Sequence, residues 1–309
     1  MIDNNFLYIN VIIIIILLIS SSGHIIKRGI KLEDEKGIGK IFTMLFRALM
    51  PILSVIMNVV MRFLIRFVDS EWWFKGPFRR VVPWLLGNAI VKIAYGCEVY
   101  TTDELVALYQ NLYKDADQNG KHLHIALSPC ICRAAINNWS EKMPNLTCLH
   151  LNFASNPAKK YMDMSLLISA ETAIQLTKEY ASKWPFVHTV FGWCPSSSEY
   201  FDKQFAICFC HHHCAVVRCE VKRGKYGLHP ITKGRFFAKI DKEKCNKCGT
   251  CQDKCPFFVV KKSNEILKID PEQCFGCGVC ERFCPNNAIE MIKRPKSNLH
   301  FIRTELIMN

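Results

Sequence analysis

No glycine-rich nucleotide loop, no nucleophile elbow and no proton-transfer dyad can be found in this 309-residue chain. Nothing in it therefore points to nucleotide chemistry, acyl transfer or acid–base catalysis. RNA- and DNA-binding motifs are missing too, although 40 Lys and Arg stand against 27 Asp and Glu. Acidic residues are scarce from Lys27 to Lys92, where twelve Lys/Arg face five Asp/Glu. A basic third beside apolar segments points to an anionic membrane surface rather than to nucleic acid. At 50% apolar content a chain of this length buries a real core and holds two or three parts. It is neither small nor evenly stapled, so its 17 cysteines do not read as a disulfide framework. Thiols kept for metal imply a reducing compartment.

Eight of those cysteines repeat one spacing. The first copy is Cys245, Cys248, Cys251 and Cys255 followed by Pro256; the second is Cys274, Cys277, Cys280 and Cys284 followed by Pro285. In the bacterial two-cluster ferredoxin run, three cysteines of each copy hold one 4Fe–4S cube and the fourth ligates the other cube. The expected ligands are Cys245, Cys248, Cys251 and Cys284 for cluster I. Cluster II takes Cys274, Cys277, Cys280 and Cys255. Zinc also favours four thiolates, but it has no use for crossed runs. Strands are expected at 236–240 and 288–292, with a hairpin built from 257–260 and 266–269. Phe257, Phe275, Val279 and Phe283 would keep water from the sulfurs.

Residues 6–26 carry no fixed charge and as a helix would rise about 30 Å, enough to cross a bilayer's hydrocarbon. A signal peptide is the competing reading, but Asp3 and the lack of any Lys or Arg ahead of the run argue against it. Lys27, Arg28 and Lys31 follow directly, which places the C-terminal bulk in the cytoplasm. Residues 41–68 differ. On a helical wheel Thr43, Arg47, Ser54, Asn58, Arg62 and Arg66 fall within an arc of roughly 140°, and Asp69 extends the stripe. That pattern suits a helix lying among lipid headgroups, with an ordinary core-packing helix as the alternative. Trp72, Trp73, Trp84, Lys75, Arg79 and Arg80 add aromatic and cationic residues common at that depth.

The middle third holds a second cysteine set. A short strand at 121–127 leads to Cys130-Ile131-Cys132-Arg133, and Cys148 follows. A helix is expected from about Ser169 to Lys183, then a strand through Val187-His188-Thr189. Cys208, Cys210 and Cys214 come next, with His211, His212 and His213 between them. Alternating strands and helix suggest a small α/β unit. The two paired-thiol loops are placed to converge on one metal. Cys97 and Cys219 read as buried small hydrophobes; the three histidines read as a solvated loop, with a metal ligand among them as the alternative.

Over about residues 121–290 the chain resembles a family of multi-cluster ferredoxin-like proteins found in anaerobic bacteria and archaea. The resemblance rests on the C-x-C-R motif at Cys130–Arg133, Cys148-Leu149, the Val187–Thr189 segment and the I-C-x-C-x-x-x-C motif at Ile207–Cys214. A two-cluster ferredoxin module follows in the same order. The family commonly has cysteines where His211–His213 stand here, and further cysteines between the first two motifs. The resemblance implies a third centre, iron–sulfur or zinc, on Cys130, Cys132, Cys208 and Cys210, with Cys148 and Cys214 competing for places. Arg133 would supply a fixed cation for an anionic cluster or substrate group, or else a structural ion pair.

The expected fold is α+β. It comprises a membrane anchor (1–27), basic amphipathic helices (28–95), a small α/β cysteine-rich domain (96–235), a pseudo-twofold βαβ ferredoxin domain (236–294) and a tail (295–309). The expected function is a membrane-attached iron–sulfur protein carrying single electrons between redox protein partners, rather than a stand-alone enzyme. Its place is the cell membrane, with a single span. Two alternatives stay open: the electron-input subunit of a reductase, or a zinc-stabilised interaction module fused to a ferredoxin.

Overall fold

The computed structural model describes residues 97–118, 125–139, 141–151, 166–191, 206–264 and 266–296, with part of 59–70. The expected span at 6–26, the tryptophans at 72, 73 and 84, and Cys194 lie outside the described residues. Among the described residues no helix is long and apolar enough to cross a membrane.

Seven strands form one sheet. They are β1 (Cys97–Tyr100), β2 (Ile125–Pro129), β3 (Leu146–Leu151), β4 (Leu166–Ile168), β5 (Val187–Phe191), β6 (Ala206–Cys210) and β7 (Ile231–Thr232), in the order β4-β2-β3-β6-β5-β1-β7. All neighbours are antiparallel except β1 and β7. The expected α/β unit is thus corrected to an antiparallel-dominated sheet, while the wider α+β class stands. The strand expected through Val187-His188-Thr189 is present as β5, and β6 at Ala206–Cys210 is an addition to the expectation; neither pattern says anything about partner choice. Partners are set by long-range packing of the two faces.

One face is apolar. Ile125, Leu127, Leu149, Leu151, Val190, Ile207 and Phe209 pack there against α1 (Thr102–Gln118) and α3 (Ala170–Lys183). Helix α1 starts with a capping box: the Glu104 amide donates to Thr101 Oγ1 (3.3 Å) and the Thr101 amide donates to Glu104 Oε2 (2.7 Å). Helix α3 is capped by Ser169, whose side chain accepts from the Thr172 amide at 3.1 Å.

The opposite face carries the sulfur. Side chains two apart on a strand share a face, so Cys208 and Cys210 turn away from Ile207 and Phe209. They join Cys97, Cys148, Val99 and Val187. Helices α2 (Ile131–Ile136) and α4 (Ala215–Arg223) cover this side. The end of the 41–68 segment docks here as well. Ile65 is 1% exposed within this core, Arg66 Nε donates to Ala135 O at 2.6 Å, and Asp69 pairs with Arg218 at 2.8 Å. The expectation for that stripe was a bed of lipid headgroups. Among its described residues, Arg66 and Asp69 bind the cysteine-rich domain, the first through the carbonyl of buried Ala135 and the second through the half-buried guanidinium of Arg218.

The C-terminal module is a second, smaller α+β unit. Strand β8 (Phe236–Ile240) pairs antiparallel with β11 (Ile289–Lys293), and β9 (Val260–Ser263) with β10 (Ile266–Ile269). Two short helices, α5 (Thr250–Lys254) and α6 (Val279–Arg282), follow the cysteine loops. The hairpin starts later than expected, since Phe257 and Phe258 belong to the turn after Cys255 and Pro256, with Phe258 at φ 56°.

Two glycines fix how the module closes and docks. Gly276 has φ +74°, and a Cβ there would lie 2.1 Å from Phe236 O on β8. Gly234 lets the linker approach both units: its amide donates to Phe275 O at 2.9 Å, and a Cβ would lie 2.8 Å from Val99 O. Gly276→Ala is therefore expected to part β8 from the Cys274–Cys277 loop, with a loss of about 2 kcal/mol or more. Thermal unfolding of the metal-loaded variant checks this, and an unchanged Tm would contradict the close approach.

Candidate metal centres

The eight C-terminal cysteines sort into two groups of four. One cavity, with about 330 Å³ of space free of protein atoms, is lined by Cys255, Cys274, Cys277 and Cys280. A second, with about 290 Å³, is lined by Cys245, Cys248, Cys251 and Cys284. In each group the fourth cysteine comes from the other sequence copy, across the pseudo-twofold.

The local backbone explains the grouping. Lys247 and Gly249 flank Cys248 with positive φ, as Gly276 and Gly278 flank Cys277. These left-handed residues wind each loop tightly enough to face three thiols inward. Phe258 and Asn287, each three residues past the fourth cysteine, repeat the same φ sign and turn the chain back. Such a conformation costs a non-glycine residue roughly 1–2 kcal/mol. Lys247, Phe258 and Asn287 all bear it.

Both cavities are dressed as sulfur sites. The Ala238 amide donates to Cys274 Sγ at 3.4 Å and the Ala288 amide to Cys284 Sγ at 3.2 Å. Phe257 and Phe275 stack at 4.0 Å between centroids and line the first cavity with Val279. Burial pushes the Cys277 thiol up to about 12, helped by Cys255 and Cys274, and the Cys251 thiol up to about 11, helped by Cys245. Cys248 is exposed and is drawn below its ordinary value by the Thr250 hydroxyl. Clustered buried thiols that resist ionisation in isolation are what a thiolate-binding cation stabilises. Four cysteines line each space, a donor set that fits a 4Fe–4S group.

The upstream cysteines also converge. Cys148 and Cys208 are paired opposite each other on β3 and β6, with sulfurs 3.0 Å apart. Cys130, just before α2, accepts from the Arg133 amide at 3.4 Å, and Cys132, Cys148 and Cys214 bear on its ionisation. Cys214, just before α4, accepts from the His211 amide at 3.4 Å, and Cys130 and Cys210 bear on its ionisation. All six are buried. These thiol hydrogen bonds, with Arg133 nearby, hold Cys130 below its ordinary value and drive Cys132, Cys148 and Cys214 above theirs. The four expected ligands and the two competitors, Cys148 and Cys214, all lie in the buried core on this side of the sheet. Cys97 is buried beside Cys208 and Cys210, and Cys219 is buried on α4.

Arg133 is 1% exposed and stands against this group. Its Nη2 donates to Pro144 O (2.7 Å) and Thr147 Oγ1 (2.9 Å), whereas Nε and Nη1 have no hydrogen-bond partner. Burial works against its charge, but Cys214, Cys130 and Cys148 hold its pKa above the usual value. Thr189 was missed in the sequence as a supporting residue: its hydroxyl lies 3.1 Å from Cys210 Sγ and 3.2 Å from Cys208 O. Its place two residues from Val187 on a strand was the available signal.

The histidine turn is not the solvated loop expected. Ring nitrogens of His211, His212 and His213 lie within 4.8 Å of one another, and His211 is 5% exposed. Burial, then the charge of His212, presses His211 down to about 3. His212 lies 5.6 Å from Phe258, so this turn joins the six-thiol face to the C-terminal module.

Compared with known families, residues 238–291 match the 4Fe-4S dicluster domain. Compared with curated proteins, the chain has no match. The C-terminal unit is thus an iron–sulfur module of ferredoxin type, and its role is electron transfer.

Proposed function

We propose that the chain carries single electrons through two 4Fe–4S clusters, passing them between redox protein partners. The first cluster belongs to Cys245, Cys248, Cys251 and Cys284, and the second to Cys274, Cys277, Cys280 and Cys255. The observation that carries this reading is the sorting of eight cysteines into two fours, each around its own cavity. When bound, a 4Fe–4S cluster takes up or gives up one electron at a potential set by its surroundings. The chain's own residues tune that potential. Phe257, Phe275 and Val279 keep water from the first cavity, and the amides of Ala238 and Ala288 donate to ligand sulfurs.

Attachment to the cell membrane through residues 6–26, with the bulk cytoplasmic, belongs to the same proposal and rests on the sequence pattern alone. Recovery of the full chain in the soluble fraction without detergent would count against it. Protein purified anaerobically is expected to contain about eight sulfide ions, and to give reduced-cluster EPR signals after dithionite. A preparation free of sulfide would overturn the electron-carrier reading.

A further inference from the structure

We propose that the loop around Cys245 and Cys248 is the face on which an acidic one-electron carrier protein docks, held there by Lys242, Lys244 and Lys247. This rests on the electron-carrier reading and deepens it, since it names which cavity meets a partner and what chemistry that partner has. The two sequence copies differ in ways that support it.

Both copies share one local backbone. Residues 241–249 read DKEKCNKCG and residues 270–278 read DPEQCFGCG. In the first, Asp241 Oδ1 accepts from the Glu243 amide at 2.9 Å and Asp241 O from the Cys245 amide at 3.1 Å. In the second, Asp270 accepts the equivalent pair, from Glu272 at 2.9 Å and from Cys274 at 3.0 Å. The Asp and Glu are common to the two loops. The three lysines are not: the second loop has Pro271, Gln273 and Gly276 in their places.

The surroundings differ to match. The second loop is bound from within the chain. The Gly234 amide donates to Phe275 O (2.9 Å), Lys233 Nζ to Glu272 O, and Arg294 Nη2 to Pro271 O (2.9 Å) and Cys274 O (2.6 Å). Every cysteine of its cavity is buried. The first loop faces outward. Cys248 is exposed, Cys245 and Cys284 are half-buried, and Lys242, Lys244 and Lys247 are all exposed. Lys244 pairs with Asp241 at 3.5 Å, whereas among the described residues no carboxylate pairs with Lys242 or Lys247.

Lys247 adds a conformational argument. Its φ of 62° is close to the 74° of Gly276, a left-handed region that glycine enters freely and lysine does not. The first loop bears that strain and gains an exposed cation next to Cys248. Electron transfer between proteins falls off steeply with distance, so a partner docks where a ligand cysteine reaches the surface. Exposed lysines at that spot steer carboxylates to it, with a strong dependence on salt. Lipid headgroups would attract the same lysines, but phospholipid neither gives nor takes an electron.

An acidic flavodoxin is the probe. Its binding to the full chain, purified anaerobically, is titrated at low and at physiological ionic strength, and carbodiimide cross-links between lysine and carboxylate are mapped by mass spectrometry. Cross-links are expected at Lys242, Lys244 or Lys247, and K242E/K244E/K247E should bind about tenfold more weakly at low salt. K114E/K178E/K222E makes the same change in net charge on exposed lysines of the sheet unit and should keep most of the affinity. Equal weakening in the two triple variants overturns the proposal, as do cross-links confined to other lysines or a wild-type chain that does not bind at low salt. Anionic phosphatidylserine vesicles form a second arm. Vesicle binding lost in K242E/K244E/K247E, with flavodoxin binding kept, assigns the lysines to lipid and overturns the proposal too. Should that variant fail to fold, K247G serves in its place. It gives the first loop the second loop's residue, and should hold wild-type sulfide yet bind flavodoxin about twofold to fivefold more weakly; unchanged binding in K247G would then overturn the proposal. Sulfide is counted on every variant, so failure of the two-cluster reading shows separately, as a wild-type chain without sulfide whatever its affinity for flavodoxin.

Discussion

Alanine at Cys255 is expected to remove the same reduced-cluster EPR signal as alanine at Cys277, and alanine at Cys284 the same signal as alanine at Cys251. Each change should cost about half of the sulfide-matched iron, roughly four ions per chain. Sequence proximity would pair them the other way, since Cys255 lies four residues from Cys251 and Cys284 seven from Cys277. The geometry is against that pairing. Cys255 lines the cavity of Cys274, Cys277 and Cys280, and Cys284 that of Cys245, Cys248 and Cys251. Each Cys-Pro turn leads the chain out of its own loop, and the left-handed residues Phe258 and Asn287 turn it back into a strand. A shared phenotype for Cys255→Ala and Cys251→Ala would sink the crossed assignment.

The sequence told unequal amounts about the two halves of this chemistry. The sorting of the C-terminal cysteines into two fours around two cavities is legible in their spacing, because short loops and a proline turn leave few geometries for eight thiols. The upstream set is built from strands whose partners lie tens of residues away. No local pattern says that β3 runs beside β6, so the 3.0 Å approach of Cys148 to Cys208 is not legible in the sequence. Helix α1 was legible and overlooked: Thr101 and Glu104 form the cap, and Leu105, Leu108, Tyr109 and Leu112 repeat at helical spacing on its buried side. The end of the 41–68 stripe is ambiguous for a different reason. A helix facing lipid headgroups and a helix whose polar residues bind buried carbonyl groups share one amphipathic pattern. Arg66 on Ala135 O belongs to the second kind.

Arg282 holds the two units together, and its replacement is expected to have the largest effect of any residue outside the thiols. It follows Cys280 by two positions, yet most of its bonds leave the iron–sulfur module. Nε donates to Ala181 O (3.3 Å) in the last turn of α3 and Nη2 to Phe186 O (2.7 Å) just before β5, while Nη1 reaches back to Cys277 O (3.1 Å). A planar fork serving three carbonyls cannot be replaced by a single ammonium. Arg282→Ala should therefore cost about 3 kcal/mol, from charged hydrogen bonds worth roughly 1.5–3 kcal/mol each less what water restores. Arg282→Lys should recover at most one of them. For a folded body of this size the alanine change lowers Tm by on the order of 6–12 °C. Burial disfavours the guanidinium's charge, but Cys277 and Cys280 oppose that effect, and they do so fully only as thiolates. Metal in the neighbouring cavity thus strengthens the docking of the module on the sheet, and stripping iron should loosen it. Hydrogen exchange at residues 181–187 is the readout: faster in Arg282→Ala, and faster in the iron-free wild-type protein than in the loaded one. Equal exchange in all three would mean that Arg282 is not the link between metal loading and the sheet.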